Sequence, residues 1–447
     1  MSINTRVLSG FVELLPQQQR LFDGIRETVA GIYRAHGFES VETPVVERAE
    51  VLFSNSGGET GKQIYRIEKG DAELALRFDL TVPFARYVAD HYGQLGFPFK
   101  RAAIAKSYRG ERAQKGRYRE FYQADIDIVA EGDLPTAYDA EIIAVMHEVL
   151  TALDARHDLG GFTLRVSSRR IWNGFFDALG FDAPTRAGIM ALVDKKAKIS
   201  PEVFVEELGK LTNKINEINA LLSIEYLSKI GVSVPAAAHD IFAPILANAE
   251  FEKGVREVEE IMALLAPLAA SGTGKIILDL SIIRGLDYYT GIVFETTMDR
   301  HAELGSICGG GRYANLCGNF INRDIVGVGG SIGLTRLFVP LIEDGAIVPD
   351  TAQGPDLLII PMSEAAHPRA FELERACVGS GLVTSAIYTN RKLAKHLEFA
   401  DKIGAKFVAI IGDDELASGT LTAKNMQTGE QKTLNEQELL SWISARN

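Results

Sequence analysis

The sequence predicts an α+β protein whose antiparallel core is split by a helical insertion and followed by a separate α/β domain. Three observations carry this prediction. Residues 101–108 and 118–129 have strand patterns on either side of a glycine-bracketed basic loop, as in a long hairpin. Residues 162–255 show repeated helical patterns, and strand patterns return over residues 276–297. Within residues 355–447, strands alternate with helices, which is typical of an α/β domain.

Composition restricts the class of protein further. The chain has 447 residues, 46% of them hydrophobic, and a formal net charge of −12. No apolar run approaches the ~18 residues of a membrane span, and residues 1–15 lack the order of a signal peptide. Cys308, Cys317 and Cys377 cannot all pair and lack metal-ligand spacing. We therefore expect a cytoplasmic protein with reduced thiols and no membrane contact, and the acidic total weighs against a nucleic-acid partner.

The elements of the first half follow in chain order. Residues 17–36 predict a helix, because apolar residues recur at three- and four-residue steps. Residues 38–46 predict a strand that is interrupted at Pro44, which has no N–H to donate. A strand over residues 74–79 precedes the long hairpin, and a helix over residues 137–154 follows it.

The second half begins inside the insertion, where residues 162–166 form one of its few strand patterns. Strands are predicted again over residues 276–280 and 291–297. Residues 305–333 hold nine glycines in 29 positions, which belong to the split core. One proline and two glycines mark residues 343–354 as the linker to the last domain.

The predicted elements of the last domain alternate in type. They are strands over residues 356–362, 383–388, 407–411 and 420–426, with helices through residues 371–376 and over residues 392–403.

The basic stretch 101–120 is the first candidate site, with seven basic and two acidic residues. A solvated charged face is the ordinary explanation of such a run. Here tyrosines interleave with the arginines, and strands flank the loop. Arginine makes planar bidentate contacts with phosphate, and aromatic rings stack on bases. The stretch therefore favours a phosphate-rich ligand.

Four further segments carry polar or glycine-rich patterns. Residues 284–289 place an Arg, an Asp and two tyrosines between glycines. This pattern is typical either of a strand whose side chains line a pocket or of an ordinary turn with polar side chains. The glycines of residues 305–311 allow the backbone to come close to a ligand or to a crossing strand. This segment matches neither a P-loop nor a Rossmann fingerprint. Residues 329–337 lead from a glycine-rich strand into a helix that carries Arg336, and residues 77–83 end a strand with an acid and a hydroxyl.

Together, these segments resemble the histidyl-tRNA synthetases, a family of class II aminoacyl-tRNA synthetases, over nearly the whole chain. Residues 37–53, 106–127 and 327–338 are similar to the three motifs that class II enzymes share. The segment Arg284-Gly285-Leu286-Asp287-Tyr288-Tyr289 is far more specific, because it is similar to a histidine-recognition motif of this family.

Two segments resemble the family with local differences. Residues 309–313 are similar to its second histidine motif, although the family often has Asp where this chain has Ala314. Residues 76–83 resemble the form of the eukaryotic-like branch, whereas other bacterial members have Pro-Glu-Gly-Thr there.

The resemblance implies a class II catalytic core built on an antiparallel sheet and made of two parts, residues 1–161 and 256–345. Residues 162–255 would then be the helical insertion, and residues 355–447 the α/β anticodon-binding domain. In the family, the segment matching residues 37–53 builds a dimer interface, so the resemblance also implies a homodimer.

The activity implied by the resemblance is that of a histidine–tRNA ligase. The carboxylate of L-histidine attacks the α-phosphate of ATP, pyrophosphate leaves, and the 3′-terminal ribose of tRNA(His) then takes the histidyl group. A carboxylate needs no general base, so catalysis is mainly electrostatic. Mg²⁺ would bridge the ATP phosphates with few protein oxygens and several waters, rather than occupy a site made by protein alone.

The resemblance also assigns roles to individual residues. Electrostatic catalysis is assigned to Arg109, Arg284 and Arg336. The ATP contacts are Arg109, Glu111 and Arg336. The histidine contacts are Asp79, Thr81, Gln123, Asp127, Arg284, Tyr288 and Tyr289. The candidates for binding the tRNA acceptor end are Gln114, Lys115 and Arg117.

Two relatives of the family are the alternatives. The regulatory subunit of ATP phosphoribosyltransferase keeps the fold without the ligase reaction, but generally lacks the C-terminal domain and the motif 2 and motif 3 arginines. A class II synthetase for another amino acid disagrees with the double-tyrosine motif. This chain has residues 355–447, Arg109, Arg284 and Arg336, which favours the ligase. The local charge of residues 101–120 also shows that an acidic total does not exclude tRNA.

Overall fold

The structure is a computed structural model, which divides into two compact units. The first unit comprises Met1–Glu13 and Phe22–Ile347, and the second comprises Leu14–Leu21 and Val348–Asn447. The residues that the structure describes are 3–54, 58–196, 199–222, 245–283, 289–314, 316–348 and 354–445.

The α-helices are numbered in chain order over the described residues. They are α1 (Pro16–Ala35), α2 (Ala49–Phe53), α3 (Gly58–Gln63), α4 (Thr81–Asp90), α5 (Ala137–His157), α6 (Arg169–Ala178), α7 (Ala183–Val193), α8 (Pro201–Leu211), α9 (Ile215–Leu222), α10 (Ala249–Ala270), α11 (Leu334–Glu343), α12 (His367–Gly379), α13 (Leu393–Lys402), α14 (Asp413–Ser418) and α15 (Glu436–Ser444). No helix of the described residues is both long and apolar enough to cross a membrane.

The strands are numbered in the same way. They are β1 (Glu39–Ser40), β2 (Val46–Arg48), β3 (Arg66–Lys69), β4 (Ala72–Leu76), β5 (Phe99–Tyr108), β6 (Glu120–Glu131), β7 (Phe162–Ser168), β8 (Lys275–Leu278), β9 (Ile292–Met298), β10 (Ser306–Ala314), β11 (Ile325–Gly333), β12 (Leu357–Pro361), β13 (Thr384–Ala386), β14 (Phe407–Ile411), β15 (Leu421–Asn425) and β16 (Gln431–Leu434).

A large, mostly antiparallel sheet organises the first unit. Its eight strands run in the order β1-β5-β6-β11-β10-β9-β7-β8, and the pairs from β5 to β7 are antiparallel. Only the two edge strands, β1 and β8, run parallel to their neighbours. The long hairpin β5–β6 therefore lies next to the glycine-rich pair β10–β11, although about 200 residues separate them in sequence. This confirms the predicted antiparallel core.

The predicted strand over residues 38–46 is wrong as a single element. Residues 39–40 form β1 at the edge of the large sheet, whereas residues 46–48 form β2 in a separate sheet of order β2-β4-β3. Pro44 lies between the two strands. Because its ring removes an N–H, the chain leaves one sheet and enters another at this point.

The predicted start of the insertion at residue 162 also needs correction. Phe162–Ser168 forms β7, which pairs with β9 on one side and with the edge strand β8 on the other in the large sheet. A strand with neighbours on both sides is part of the core. The helices of this region start with α6, whose N-terminus is capped when the Ser168 hydroxyl accepts from Ile171 N. The other limits of the four-part division stay a prediction.

The second unit contains a five-stranded sheet of order β13-β12-β14-β15-β16. The first three strands are parallel and the last two pairings are antiparallel. Alternate residues of β12 enter two different hydrophobic clusters: Leu357 and Ile359 join one, and Leu358 and Ile360 join the other. Burial on both faces is the expected pattern of a parallel strand in an α/β domain. It confirms the α/β prediction for this part of the chain.

All three cysteines are buried free thiols in the described structure. Burial raises the pKa of Cys308 and of Cys317 to about 12, and that of Cys377 to about 11. These thiols are therefore protonated at neutral pH.

Candidate active site

Two adjoining cavities open between the hairpin β5–β6 and the strands β9, β10 and β11. The larger has a volume of about 400 Å³, and the smaller has a volume of about 40 Å³. Tyr289, Gly309 and Ser331 line both cavities, so the smaller one is an extension of the larger. Arg109, Glu111, Arg117, Gln123 and Arg336 line the larger cavity, as the sequence analysis anticipated for most of the site.

Arg109 is held at the end of β5 by two aromatic rings. Its guanidinium carbon lies 4.4 Å from the centre of the Phe78 ring and 5.0 Å from that of Phe121. Among the described residues, its side chain makes one hydrogen bond, from Nε to Phe78 O at 3.3 Å. Burial lowers the pKa of Arg109, although Asp79 and Glu111 oppose this shift. The two Nη groups are thus fixed in a plane and left for a ligand in the cavity.

Arg336 lies on the first turn of α11 and links two other walls of the larger cavity. Its Nε donates to Gly116 O at 2.8 Å, and its Nη1 donates to Ser306 O at 2.7 Å. The first carbonyl belongs to the loop between β5 and β6, and the second begins β10. Arg336 therefore fixes the basic loop over the cavity.

The basic loop ends in a tight turn. Gln114 and Arg117 exchange backbone hydrogen bonds of 3.1 and 2.8 Å, so Lys115 and Gly116 form the tip. Gly116 has a φ of +74°, which favours glycine. At the tip, Lys115 Nζ forms an ion pair of 2.6 Å with Asp344, and both side chains are about half exposed. Gln114 and Lys115 line neither described cavity, whereas Arg117 does.

Glu111 faces the same basic loop from its start. The backbone O of Glu111 accepts from Arg119 Nε at 3.0 Å, and its carboxylate lies 3.8 Å from Arg117 Nη1. Glu295, on β9, is the other carboxylate that lines the larger cavity within the described residues. The cavity therefore presents guanidinium and carboxylate groups together.

Asp79 and Thr81 lie at the N-terminus of α4. Asp79 Oδ1 accepts from Val82 N at 3.0 Å, so this carboxylate caps the first turn of the helix. Thr81 lines the smaller cavity, whereas Asp79 lines neither of the two. Asp79 is nevertheless close enough to affect the pKa of Arg109.

Asp127 lines the smaller cavity, and both of its oxygens have protein partners. Oδ2 pairs with Arg101 Nη1 at 2.9 Å, and Oδ1 accepts from the Tyr313 hydroxyl at 2.9 Å. Arg101 is fully buried and also donates from Nη2 to Leu80 O at 2.6 Å. Arg101 and Tyr313 lie in candidate segments of the sequence, but neither was assigned a role, because their pairing with Asp127 joins different strands.

Gln123 and Asp125 precede Asp127 on the same face of β6, at two-residue steps. Gln123 Nε2 donates to Ser331 Oγ at 3.0 Å, and Ser331 also hydrogen-bonds the Asp125 carboxylate. Burial raises the pKa of Asp125 to about 7, against an opposing effect of Arg101. Asp125 lines the smaller cavity and was not among the predicted residues. The polar alternation of β6 was a signal that could have found it.

Glycines make room for these side chains on β10 and β11. A Cβ on Gly329 would overlap the carboxylate of Asp127, and one on Gly311 would lie 2.8 Å from the Tyr289 ring. Because Gly311 and Gly329 have no side chains, the strands β10 and β11 leave space for Tyr289 and Asp127. The pattern reflects both close crossing of strands and space beside the cavity.

Part of the predicted histidine motif is outside the described residues. Arg284 and Tyr288 lie in the range 284–288, and only Tyr289 is described. Burial raises the pKa of Tyr289, so its hydroxyl is a neutral donor or acceptor at both cavities.

The site has two chemically distinct ends. Arg109 and Arg336 give the larger cavity positive charge suited to phosphate and carboxylate groups. Thr81, Asp125 and Asp127 give the smaller cavity hydroxyl and carboxylate oxygens, which suit N–H donors. A ligand that carries an anion at one end and N–H groups at the other fits this arrangement.

Profiles of two protein families match the chain. The profile described as histidyl-tRNA synthetase matches residues 10–337, and that described as anticodon binding domain matches residues 356–446. Together they cover nearly the whole sequence.

Similar proteins and solved structures agree with these matches. A protein named histidine–tRNA ligase from Clostridium acetobutylicum is 40% identical to this chain, and the match covers 98% of this chain and 99% of that protein. A protein of the same name from Clostridium tetani is 37% identical, and the match covers 99% of this chain and 98% of that protein. The structure of histidyl-tRNA synthetase from Nostoc sp. PCC 7120 superposes with a TM-score of 0.84 at 33% identity, covering both chains fully. A Bacillus halodurans structure described as an ATP phosphoribosyltransferase regulatory subunit/histidyl-tRNA synthetase gives a TM-score of 0.71 at 22% identity, covering 92% of this chain and 99% of that one.

Proposed function

This chain belongs to the histidyl-tRNA synthetase family, and from that membership we propose how its cavities carry out the ATP-dependent attachment of histidine to tRNA(His). The activity is that of a histidine–tRNA ligase. One observation supports the assignment of roles most strongly. The clamped guanidinium of Arg109 lines a cavity whose extension carries buried acceptor groups, so an anion and an N–H donor can bind side by side.

The first step is the attack of the histidine carboxylate on the α-phosphate of ATP, with departure of pyrophosphate. Negative charge builds on the phosphoryl oxygens as the new bond forms. Arg109 meets this charge with a guanidinium that Phe78 and Phe121 already hold in one plane. Because the group does not need to reorganise during the reaction, it lowers the barrier more than a mobile cation would.

Arg336 and Arg284 complete the proposed electrostatic set. Arg336 contacts the nucleotide from α11 and at the same time fixes the basic loop through Gly116 O. Arg284 is assigned to the α-phosphate by the resemblance of its motif. Glu111 is assigned to the ATP site on the same basis, and it lines the cavity between these groups.

Histidine is proposed to bind with its carboxylate beside Arg109 and its N–H groups toward the smaller cavity. Gln123, Thr81, Asp127 and Tyr289 line this path. Asp79 acts from the start of α4, together with Tyr288 from the histidine motif. A pocket whose polar groups stay unpaired with apolar amino acids rejects those amino acids strongly.

Mg²⁺ is proposed to accompany ATP. The carboxylates of Glu111 and Glu295 line the larger cavity and fit such an ion as hard oxygen donors. No group of three or more His, Cys, Asp or Glu side chains within the described residues is arranged to hold a metal. The ion would therefore depend mainly on phosphate oxygens and water. When bound, it neutralises phosphate charge.

tRNA(His) is proposed to place its acceptor end near Gln114, Lys115 and Arg117. All three residues lie at the exposed end of the loop between β5 and β6, and Arg117 also lines the larger cavity. The anticodon-binding domain, matched over residues 356–446, supplies the second contact region. The 3′ ribose hydroxyl then receives the histidyl group from the adenylate.

ATP–pyrophosphate exchange tests the activation step directly. Histidine should stimulate exchange of labelled pyrophosphate into ATP by the purified full-length protein, whereas other amino acids should not. The measurement is the histidine-dependent exchange rate, with phenylalanine as a matched aromatic control. Folded protein that shows no histidine-dependent exchange contradicts the assignment.

The two alternatives are less well supported. The match to the anticodon binding domain and the full-length similarity to proteins named histidine–tRNA ligase disfavour a regulatory subunit. The Bacillus halodurans likeness, at 22% identity, supports the shared fold alone. The same full-length similarity disfavours a synthetase for another amino acid.

A further inference from the structure

The smaller cavity has a carboxylate on its wall to which the family resemblance gives no role. Asp125 on β6 is only 2% exposed. Its Oδ1 is buried and has no hydrogen-bond partner among the described residues. Native structures leave few buried polar atoms in this condition, and a binding or catalytic role is one of the recognised explanations. Asp125 lines a cavity of about 40 Å³, which can admit a polar group of a ligand.

The neighbouring carboxylate differs from Asp125 in this respect. Asp127 uses Oδ2 to bind Arg101 and Oδ1 to accept from Tyr313. These contacts stabilise the charge of Asp127 with partners that the protein supplies. Asp125 is therefore the acid of the smaller cavity that has an entire oxygen left for a ligand.

The side chain of Asp125 is also held in place. Ser331 on β11 hydrogen-bonds its carboxylate and accepts from Gln123 Nε2 at 3.0 Å. Gln123 Oε1 is likewise buried without a partner in the described structure. One serine thus orients two acceptor oxygens, from residues two positions apart on the same face of β6. Such a pair of fixed acceptors is suited to a ligand with more than one N–H group.

The chemistry of the acceptors identifies the class of ligand. Histidine has an ammonium group and a ring N–H, so it can satisfy both oxygens. An amino acid with an apolar side chain has the donors of its ammonium group but no ring N–H. Burial raises the pKa of the Asp125 carboxyl to about 7, and a bound N–H donor offsets that effect by stabilising the ionised form.

We infer that Asp125 is a further histidine-binding residue, whose Oδ1 accepts a hydrogen bond from an N–H group of bound histidine. The inference rests on the proposed function and adds a carboxylate to the proposed set of histidine contacts.

The test is Asp125→Asn in the full-length protein. This substitution keeps the shape of the side chain and removes its charge. The KM for histidine in pyrophosphate exchange should rise about tenfold to a hundredfold, as for loss of a hydrogen bond to a charged group, while the KM for ATP changes less than threefold. Asp139→Asn is the matched control, since Asp139 is a buried acid that lines neither cavity and pairs with Arg312 instead. Thermal unfolding of both variants checks that each is folded.

Two analogues of histidine, used as competitive inhibitors, show which N–H group Asp125 binds. Imidazolepropionate lacks the ammonium group, and histamine keeps it. If Asp125 binds the ring, Asp125→Asn weakens both inhibitors. If it binds the ammonium group, only histamine is weakened. Either pattern supports the inference and states which donor is bound.

Three outcomes overturn the inference. One is an unchanged KM for histidine in folded Asp125→Asn. Another is an equal rise in the KM values for ATP and histidine. The third is an equal effect of Asp139→Asn. Failure of the proposed function is a different result, since it requires that the unmodified protein lacks histidine-dependent exchange.

Discussion

At the residue scale, aromatic packing decides what Arg109 can do. Two rings fix its guanidinium plane, and partial burial within the site reduces the water that screens its charge. A lysine has a similar charge but no plane to stack and no fork of donors. The site therefore depends on the shape of the cation as well as on its charge.

Arg109→Lys should lower the rate of histidine-dependent exchange about a hundredfold, equivalent to ~3 kcal/mol of transition-state stabilisation. The kcat of pyrophosphate exchange measures this effect. Arg323→Lys is a matched control, because Arg323 also lies over a ring, that of Tyr92 at 5.2 Å, but pairs with Glu131 away from the cavities. A threefold or smaller loss in Arg109→Lys would remove this residue from the catalytic set.

Single residues of the site differ in how well the sequence predicts them. Arg109, Gln123 and Arg336 could be assigned because each lies within a recognisable segment. Arg101 and Tyr313 could not, since their shared partner Asp127 lies 26 and 186 positions away from them. Pairings of this kind depend on strand register, which a local pattern does not contain.

At the scale of elements, the β5–β6 hairpin joins two tasks. Its strands hold the reacting end of the cavity, and its tip is exposed. Arg336 fixes the tip through a backbone carbonyl, whereas Lys115 is held only by an exposed ion pair. Exposed pairs contribute little to stability, so Lys115 is free to exchange Asp344 for a phosphate at small cost.

Lys115→Ala should weaken charging of tRNA(His) more than it weakens pyrophosphate exchange. The KM for tRNA should rise about threefold to tenfold. If one phosphate contact is lost, the slope of log K for tRNA binding against log salt concentration should become less steep by about 0.7. Aminoacylation at several salt concentrations measures both. Lys210→Ala on α8 removes another exposed, ion-paired lysine as a control. Equal behaviour of the two variants would place the acceptor end elsewhere.

Elements were predicted best where periodicity is local. The helix over residues 17–36 and the strand Phe407–Ile411 match closely. The strand β7 was assigned to the insertion, because its pattern is surrounded by helical ones and its partner β9 lies over 120 residues later. The three-stranded sheet β2-β4-β3 was missed, since short exposed strands give weak alternation.

At the scale of the whole molecule, the net charge of −12 hides an uneven distribution. Residues 101–120 carry an excess of five positive charges, and residues 355–447 have ten basic and twelve acidic residues. Local positive charge on an acidic protein favours selective, salt-sensitive contacts over general adhesion to nucleic acid.

The proposed homodimer is a property of the whole molecule as well. It rests on the resemblance of residues 37–53 to a dimer-forming motif, a segment that includes the edge strand β1 and the exposed Val46. Sedimentation velocity at micromolar concentration should give a species of about twice the chain mass of 48.8 kDa. A single species at the chain mass would contradict the dimer.

The three buried thiols have a practical consequence for work with this protein. With pKa values of about 11 and 12, they form almost no thiolate at neutral pH, and thiolate is the form that alkylating dyes attack. The native cysteines should therefore react little with such dyes, so an introduced cysteine can be labelled selectively. One cysteine placed at the exposed tip of the basic loop would report on substrate binding by fluorescence, without prior removal of the native thiols.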